Sequence, residues 1–112
     1  MQNLLSLYGE IPPYVTMTGY EAKTTYWGDF RVCLGDTSAI RDTYKRAQCL
    51  AKQDSTYGAE LALALNWLMW YYHDRDQIQL AKLYQELWED WDAWVMENYK
   101  GEDLQYYLRV TD

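Results

Sequence analysis

Leu61-Ala62-Leu63-Ala64-Leu65-Asn66-Trp67-Leu68-Met69-Trp70-Tyr71-Tyr72 is the longest apolar run in the chain, interrupted by Asn66 alone. Leu61, Ala64, Leu65, Leu68 and Tyr72 recur at helical spacing and form one stripe, while Leu63, Trp67 and Trp70 occupy the other side. A helix that is apolar all round belongs in the middle of a fold. The run therefore predicts a buried central helix from Asp54 or Ser55 to about His73. At twelve residues it is too short to cross a bilayer, which needs about 20.

Helical periodicity continues on both sides. Downstream, Leu80, Tyr84, Leu87, Trp88, Trp91, Trp94 and Val95 share one broad face, predicting a long helix to about Tyr99, capped by Asp74 or Asp76 and ended by Gly101. Glu102 to Leu108 reads as a short last helix. Upstream, Ile40, Tyr44, Ala47 and Ala51 mark a helix through about Lys52, capped by Asp36, Thr37 or Ser38. A short helix from Tyr26 to Leu34 precedes it, with Gly35 as its left-handed stop. Before that, Pro12-Pro13 breaks any helix, and Tyr14 to Thr18 is strand-like in composition without a partner strand. The expected fold is all-α: a small bundle of four to five helices over residues 24–112, with an irregular, extended N-terminal arm over residues 1–23.

The chain has 112 residues, of which 49% are hydrophobic. It is long enough to bury a core without a metal or disulfide. It holds twelve Tyr and six Trp against one Phe. Such side chains carry an apolar body and a polar tip, and are enriched at interfaces as well as in small cores. Of the net charge of −7, residues 74–112 carry −6, with ten acids and four bases. That surface repels phosphate backbones and anionic membranes and attracts a basic protein groove. Cys33 and Cys49 have neither the number nor the spacing of a disulfide scaffold or a zinc site. Met1 to Tyr8 does not read as a signal peptide, so the cytoplasm is the expected compartment.

No catalytic constellation is legible. His73 is the single histidine, which excludes paired-histidine zinc motifs. No phosphate-cradling glycine loop and no nucleophile elbow occur. Glu86, Glu89, Asp90 and Asp92 lack the alternation and glycine of a calcium loop, so no metal and no cofactor is expected. The helix–glycine–helix outline of 26–52, with Arg41, Lys45 and Arg46, resembles a DNA-reading unit. The acidity of the whole opposes that reading, and pairing of those bases with the acidic fourth helix is the plainer one.

Thr25-Tyr26-Trp27-Gly28-Asp29-Phe30, Asp42-Thr43-Tyr44-Lys45-Arg46-Ala47, Leu65-Asn66-Trp67 and Leu80-Ala81-Lys82-Leu83-Tyr84-Gln85-Glu86-Leu87-Trp88 resemble a family of small acidic proteins carried by bacteriophages and mobile elements. The resemblance brings no catalytic residues. It implies a context, the inhibition of host defence in the manner of anti-CRISPR or anti-restriction proteins, some of which imitate DNA.

Two functions of different class follow. The first is a non-enzymatic inhibitor that places Glu86, Glu89, Asp90, Asp92, Glu97, Glu102 and Asp103 in a basic groove of a host nucleic-acid-binding protein, where they stand in for phosphates. On this reading the host cytoplasm is the site of action, and neither nucleic acid nor membrane is bound directly. The second is a helical adaptor or self-associating protein, a homodimer included, that docks through Tyr and Trp surface.

Overall fold

Five helices make up the described part of the computed structural model, residues 11–12 and 25–111. They are α1 Thr25–Arg31, α2 Thr37–Ala51, α3 Ser55–Asp74, α4 Ile78–Asn98 and α5 Gly101–Thr111. No strand occurs among the described residues, so the all-α bundle stands. Of the N-terminal arm, Tyr14 to Thr18 lies outside the described residues. Pro12 is fully buried, and its carbonyl accepts a hydrogen bond from Arg31 Nε at 2.7 Å. The arm thus touches the bundle at the end of α1.

Two helices start as the sequence dictates. Asp36, in extended backbone, accepts from the Ala39 amide at 3.1 Å, and Asp54 accepts from the Thr56 amide at 2.9 Å. Each satisfies one of the amides that a first turn leaves without a partner. α4 differs. Asp74 belongs to α3, and Asp76 takes a left-handed φ of 60° to reverse the chain, a conformation Asp tolerates better than most residues. A cap needs extended backbone, so neither Asp caps α4. Gln77 holds the position without a side-chain bond.

Three boundaries also shift. α1 stops at Arg31 because the reversal into α2 uses two positive-φ residues, Leu34 at 54° and Gly35 at 90°, where the sequence reading assigned it to Gly35 alone. α4 stops at Asn98, ahead of Gly101, because Tyr99 leaves in extended backbone (ψ 138°) and turns its ring inward. Gly101, at φ +54°, begins α5, which runs to Thr111 and outlasts the expected Leu108.

α3 touches each of the other four helices, as a central helix should. Leu61, Leu65, Leu68, Trp91 and Val95 are inaccessible to solvent, and Leu87 is buried. Below them, Tyr72 stacks on Tyr84, and Phe30 meets Tyr84 edge-on. The uniform burial expected of α3 is not found, however. Leu63, Trp67 and Met69 are half-buried, and Trp70 is 52% exposed. Neighbouring helices cover the first half of α3 on more sides than the second.

The covered half is built around a glycine. Gly58 lies under Trp91, whose indole Nε1 donates to the Gly58 carbonyl at 2.9 Å. The Tyr99 hydroxyl donates to the Ala51 carbonyl across the same spot. A Cβ at Gly58 would collide with Tyr99 and press on Trp91. Tyr99 meets Tyr107 edge-on, and Trp91 stacks on Trp94 at 5.1 Å.

Candidate protein-docking site

α4 carries most of the acids singled out from the sequence, and its rotation decides what each can do. Its buried side is Leu80, Leu83, Tyr84, Leu87, Trp91 and Val95, with Trp88 and Trp94 half-buried at the margins. Glu86, Glu89, Asp90 and Glu97 are exposed. Three of them, Glu86, Asp90 and Glu97, fall within about 40° of helix rotation at 100° per residue. That row is about 16 Å long at 1.5 Å per residue.

The row runs along the edge facing α2, and two of its members are already engaged there. Glu86 meets Arg41 at 3.4 Å. Both side chains are more than half exposed, a geometry that contributes little to stability but halves the local charge. Asp90 accepts from the Tyr44 hydroxyl at 2.6 Å. Burial, reinforced by that bond, holds the Tyr44 phenol well above its ordinary range, so it stays a donor. The Arg41–Glu86 contact is the pairing of α2 bases with the acidic helix expected from the sequence. Arg46 instead donates to Thr43 at 3.1 Å.

The other predicted acids lie elsewhere. Asp92 is half-buried on the opposite edge of α4, where it accepts from Tyr107 at 3.1 Å and ties α5 down. Burial, and then the Asp92 charge, raises the Tyr107 phenol. Asp103, in the first turn of α5, accepts from Ser55 at 3.1 Å, with Glu102 exposed beside it. Glu89 accepts from Gln85 within its own helix at 3.0 Å. The seven acids therefore form two groups: an outer row on α4, and a set around α5 of which Asp92 and Asp103 fasten the last helix.

A second feature was not foreseen. Met69, Trp70 and His73 of α3 and Ile78, Ala81, Lys82 and Gln85 of α4 line an open, mainly apolar groove of about 410 Å³. The His73 ring meets Trp70 edge-on, and its Nδ1 lies 3.5 Å from Asp74. Ile78 is 41% exposed. The sequence signal was the all-round apolar character of α3, which says that some side must be left over but not which one.

Other chemistry is sparse. Cys33 is buried and Cys49 exposed, and both are free thiols. Burial raises the Cys33 thiol pKa despite its contact with Thr43. Among the described residues no group of three or more His, Cys, Asp or Glu is placed to hold a metal ion, and no helix is long and apolar enough to cross a membrane. No protein-family model, curated protein or solved structure matches the chain.

Proposed function

We propose that this chain is a non-enzymatic protein-binding module that docks its outer α4 row into a basic groove, of the kind a nucleic-acid-binding protein presents. The observation that carries the reading is the row itself: Glu86, Asp90 and Glu97, with Glu89 beside them, exposed on one rigid helix in a chain of net charge −7. Carboxylates at fixed spacing complement Lys and Arg arranged for a phosphate backbone. In its most specific form the partner is a host defence protein and the mode is DNA mimicry. The resemblance to small acidic phage proteins and the charge support that form.

Glu89 and Glu97 are the acids to test, because among the described residues they have no partner on another helix, whereas reversing Glu86 or Asp90 would also disturb Arg41 or Tyr44. Glu89→Lys with Glu97→Lys raises the net charge by four units from −7. Captured from lysate in parallel with the parent, this variant loses a partner that the parent retains. Physiological salt weakens the parent complex, and duplex DNA displaces it. A partner held equally by both proteins and indifferent to DNA removes the acidic row from the reading.

A second reading, an adaptor that docks through aromatic surface, is favoured by one observation. Trp70 keeps half its surface exposed beside Ile78, whereas the other Trp and Tyr side chains among the described residues are buried or half-buried.

A further inference from the structure

α5 shows what the open groove accepts. On α3, Ser55 touches α5 through Asp103, and His73 lines the groove. These residues are eighteen apart, five full turns, and so share a face. On α4, Asp92 anchors Tyr107 of α5, and Gln85 lines the groove. These are seven apart, two turns, and again share a flank. The groove is thus the continuation of the flank on which α5 is seated. α5 fills its end by inserting Tyr107 fully, with Leu104, Tyr106 and Val110 packed around it and the Tyr107 tip on α4. Beyond α5 no other described element covers the same flank, and Trp70 and Ile78 are exposed there.

We propose that the groove between Trp70 of α3 and Ile78–Gln85 of α4 is a docking site for a short, cationic amphipathic helix of another protein, lying end to end with α5. The inference rests on the second reading above, docking through aromatic surface, and not on the α4 acidic row. From Ile78 to Gln85 the groove is about 10 Å long, which accommodates about two turns. Apolar residues at i, i+3 and i+7 of the occupant would meet Met69, Trp70, Ile78 and Ala81, as in other helix-in-groove complexes. Gln85 stands where Asp92 stands for Tyr107, and offers a partner to one polar tip. Charge selects the occupant. Asp74, 3.5 Å from His73, and Glu89, bonded to Gln85, border the groove, against Lys82 in its lining, and the whole chain carries −7. A second copy would bring the same charge to the contact, whereas a helix bearing Lys and Arg is drawn in.

The test uses the full chain and a synthetic 14-residue helical peptide with Leu at i, i+3 and i+7 near its centre and Lys elsewhere. Binding is followed by calorimetry and by the Trp70 indole resonance. The expected result is a saturable 1:1 isotherm that moves the Trp70 signal. Trp70→Ala, which changes no charge, should weaken binding at least about tenfold, as loss of a central interface aromatic does, and Trp70→Phe should recover most of it. The same peptide with its Leu positions scrambled, or with Glu for Lys, should bind at least about tenfold more weakly. Equal affinity of the parent and Trp70→Ala would overturn the groove, leaving only diffuse attraction to an acidic surface. A Trp70-dependent dimer in light scattering, with no peptide effect, would overturn the occupant but leave aromatic docking standing. If Trp70→Ala changes neither peptide binding nor self-association, both fall.

Discussion

The two halves of α3 differ in residues and in fate: the first holds Gly58 and one aromatic, Tyr57, and the second holds Trp67, Trp70, Tyr71 and Tyr72. Around Gly58, a glycine lets Trp91 and Tyr99 approach the helix axis, α5 closes over them, and the polar tips find the carbonyls of Gly58 and Ala51 and the carboxylate of Asp92. Around Trp70, a more aromatic stretch buries Tyr71 and Tyr72 but leaves Trp70 half in solvent beside α4. Aromatic content alone therefore does not decide burial. What decides it is whether a small residue opens space and whether another element arrives to fill it.

The comparison can be broken at four points. Trp91→Ala at the covered half should be the most damaging. It removes an inaccessible ring and leaves the Gly58 carbonyl unpaired, for a loss of about 3–5 kcal/mol in denaturant unfolding. A loss below about 1 kcal/mol would mean that this half is no better packed than the other.

Alkali should attack the buried phenols next. Burial pushes Tyr99 up to about 12, and Tyr72 to about 12 likewise. A group whose folded pKa lies above its ordinary value of 10 supports the fold fully below pH 10, and that support is lost as pH rises through 12. Tyr99 alone should account for about 2–3 kcal/mol across that window. Melting curves from pH 9 to 12 should show the fall, and Tyr99→Phe should show a shallower one. An identical slope in the variant would place Tyr99 in water.

Gly58→Ala should follow, at about 1–3 kcal/mol, because the added methyl displaces Tyr99 and crowds Trp91. Gly28→Ala is its counterpart. With nothing near the new methyl, it should stabilise α1 by up to about 1 kcal/mol. Opposite signs for two Gly→Ala changes in helices would sharpen the contrast, and equal signs would dissolve it. Trp70→Ala closes the series. Its exposure limits the change to about 0.5 kcal/mol in unfolding, although the groove loses its main apolar wall.

Much of this architecture was legible because the 3.6 period is a local signal. The inward face of α4 and the central place of α3 follow from it, and the capping residue types narrowed two helix starts to Asp36, Thr37 or Ser38 and to Asp54 or Ser55. What it could not give was phase where there is none. A helix apolar on all sides, such as 61–72, does not announce that Trp70 is the residue left outside. Nor could it tell which residues meet across 45 or more positions: pairing of the α2 bases with the acidic helix was expected, but not that Arg41 takes Glu86 or that Tyr44 claims Asp90. A partial clue lay in the twelve Tyr, since most buried hydroxyls take an acceptor and some acids were bound to be claimed, as Asp90 and Asp92 are. Asp76 misled for another reason: the residue types that cap helices are also those that tolerate left-handed turns.

The plug over Gly58 also sets a sequence of events. Its carbonyl waits for Trp91, and the ring beside it is Tyr99, which reaches back 48 residues to Ala51. As the polypeptide leaves the ribosome, α2 and α3 emerge with this seat still empty, and local helical contacts form long before the residues that finish it exist. The half of α3 that is tightest in the folded protein is consequently the last to be assembled, and nascent chains stalled before Tyr99 expose it.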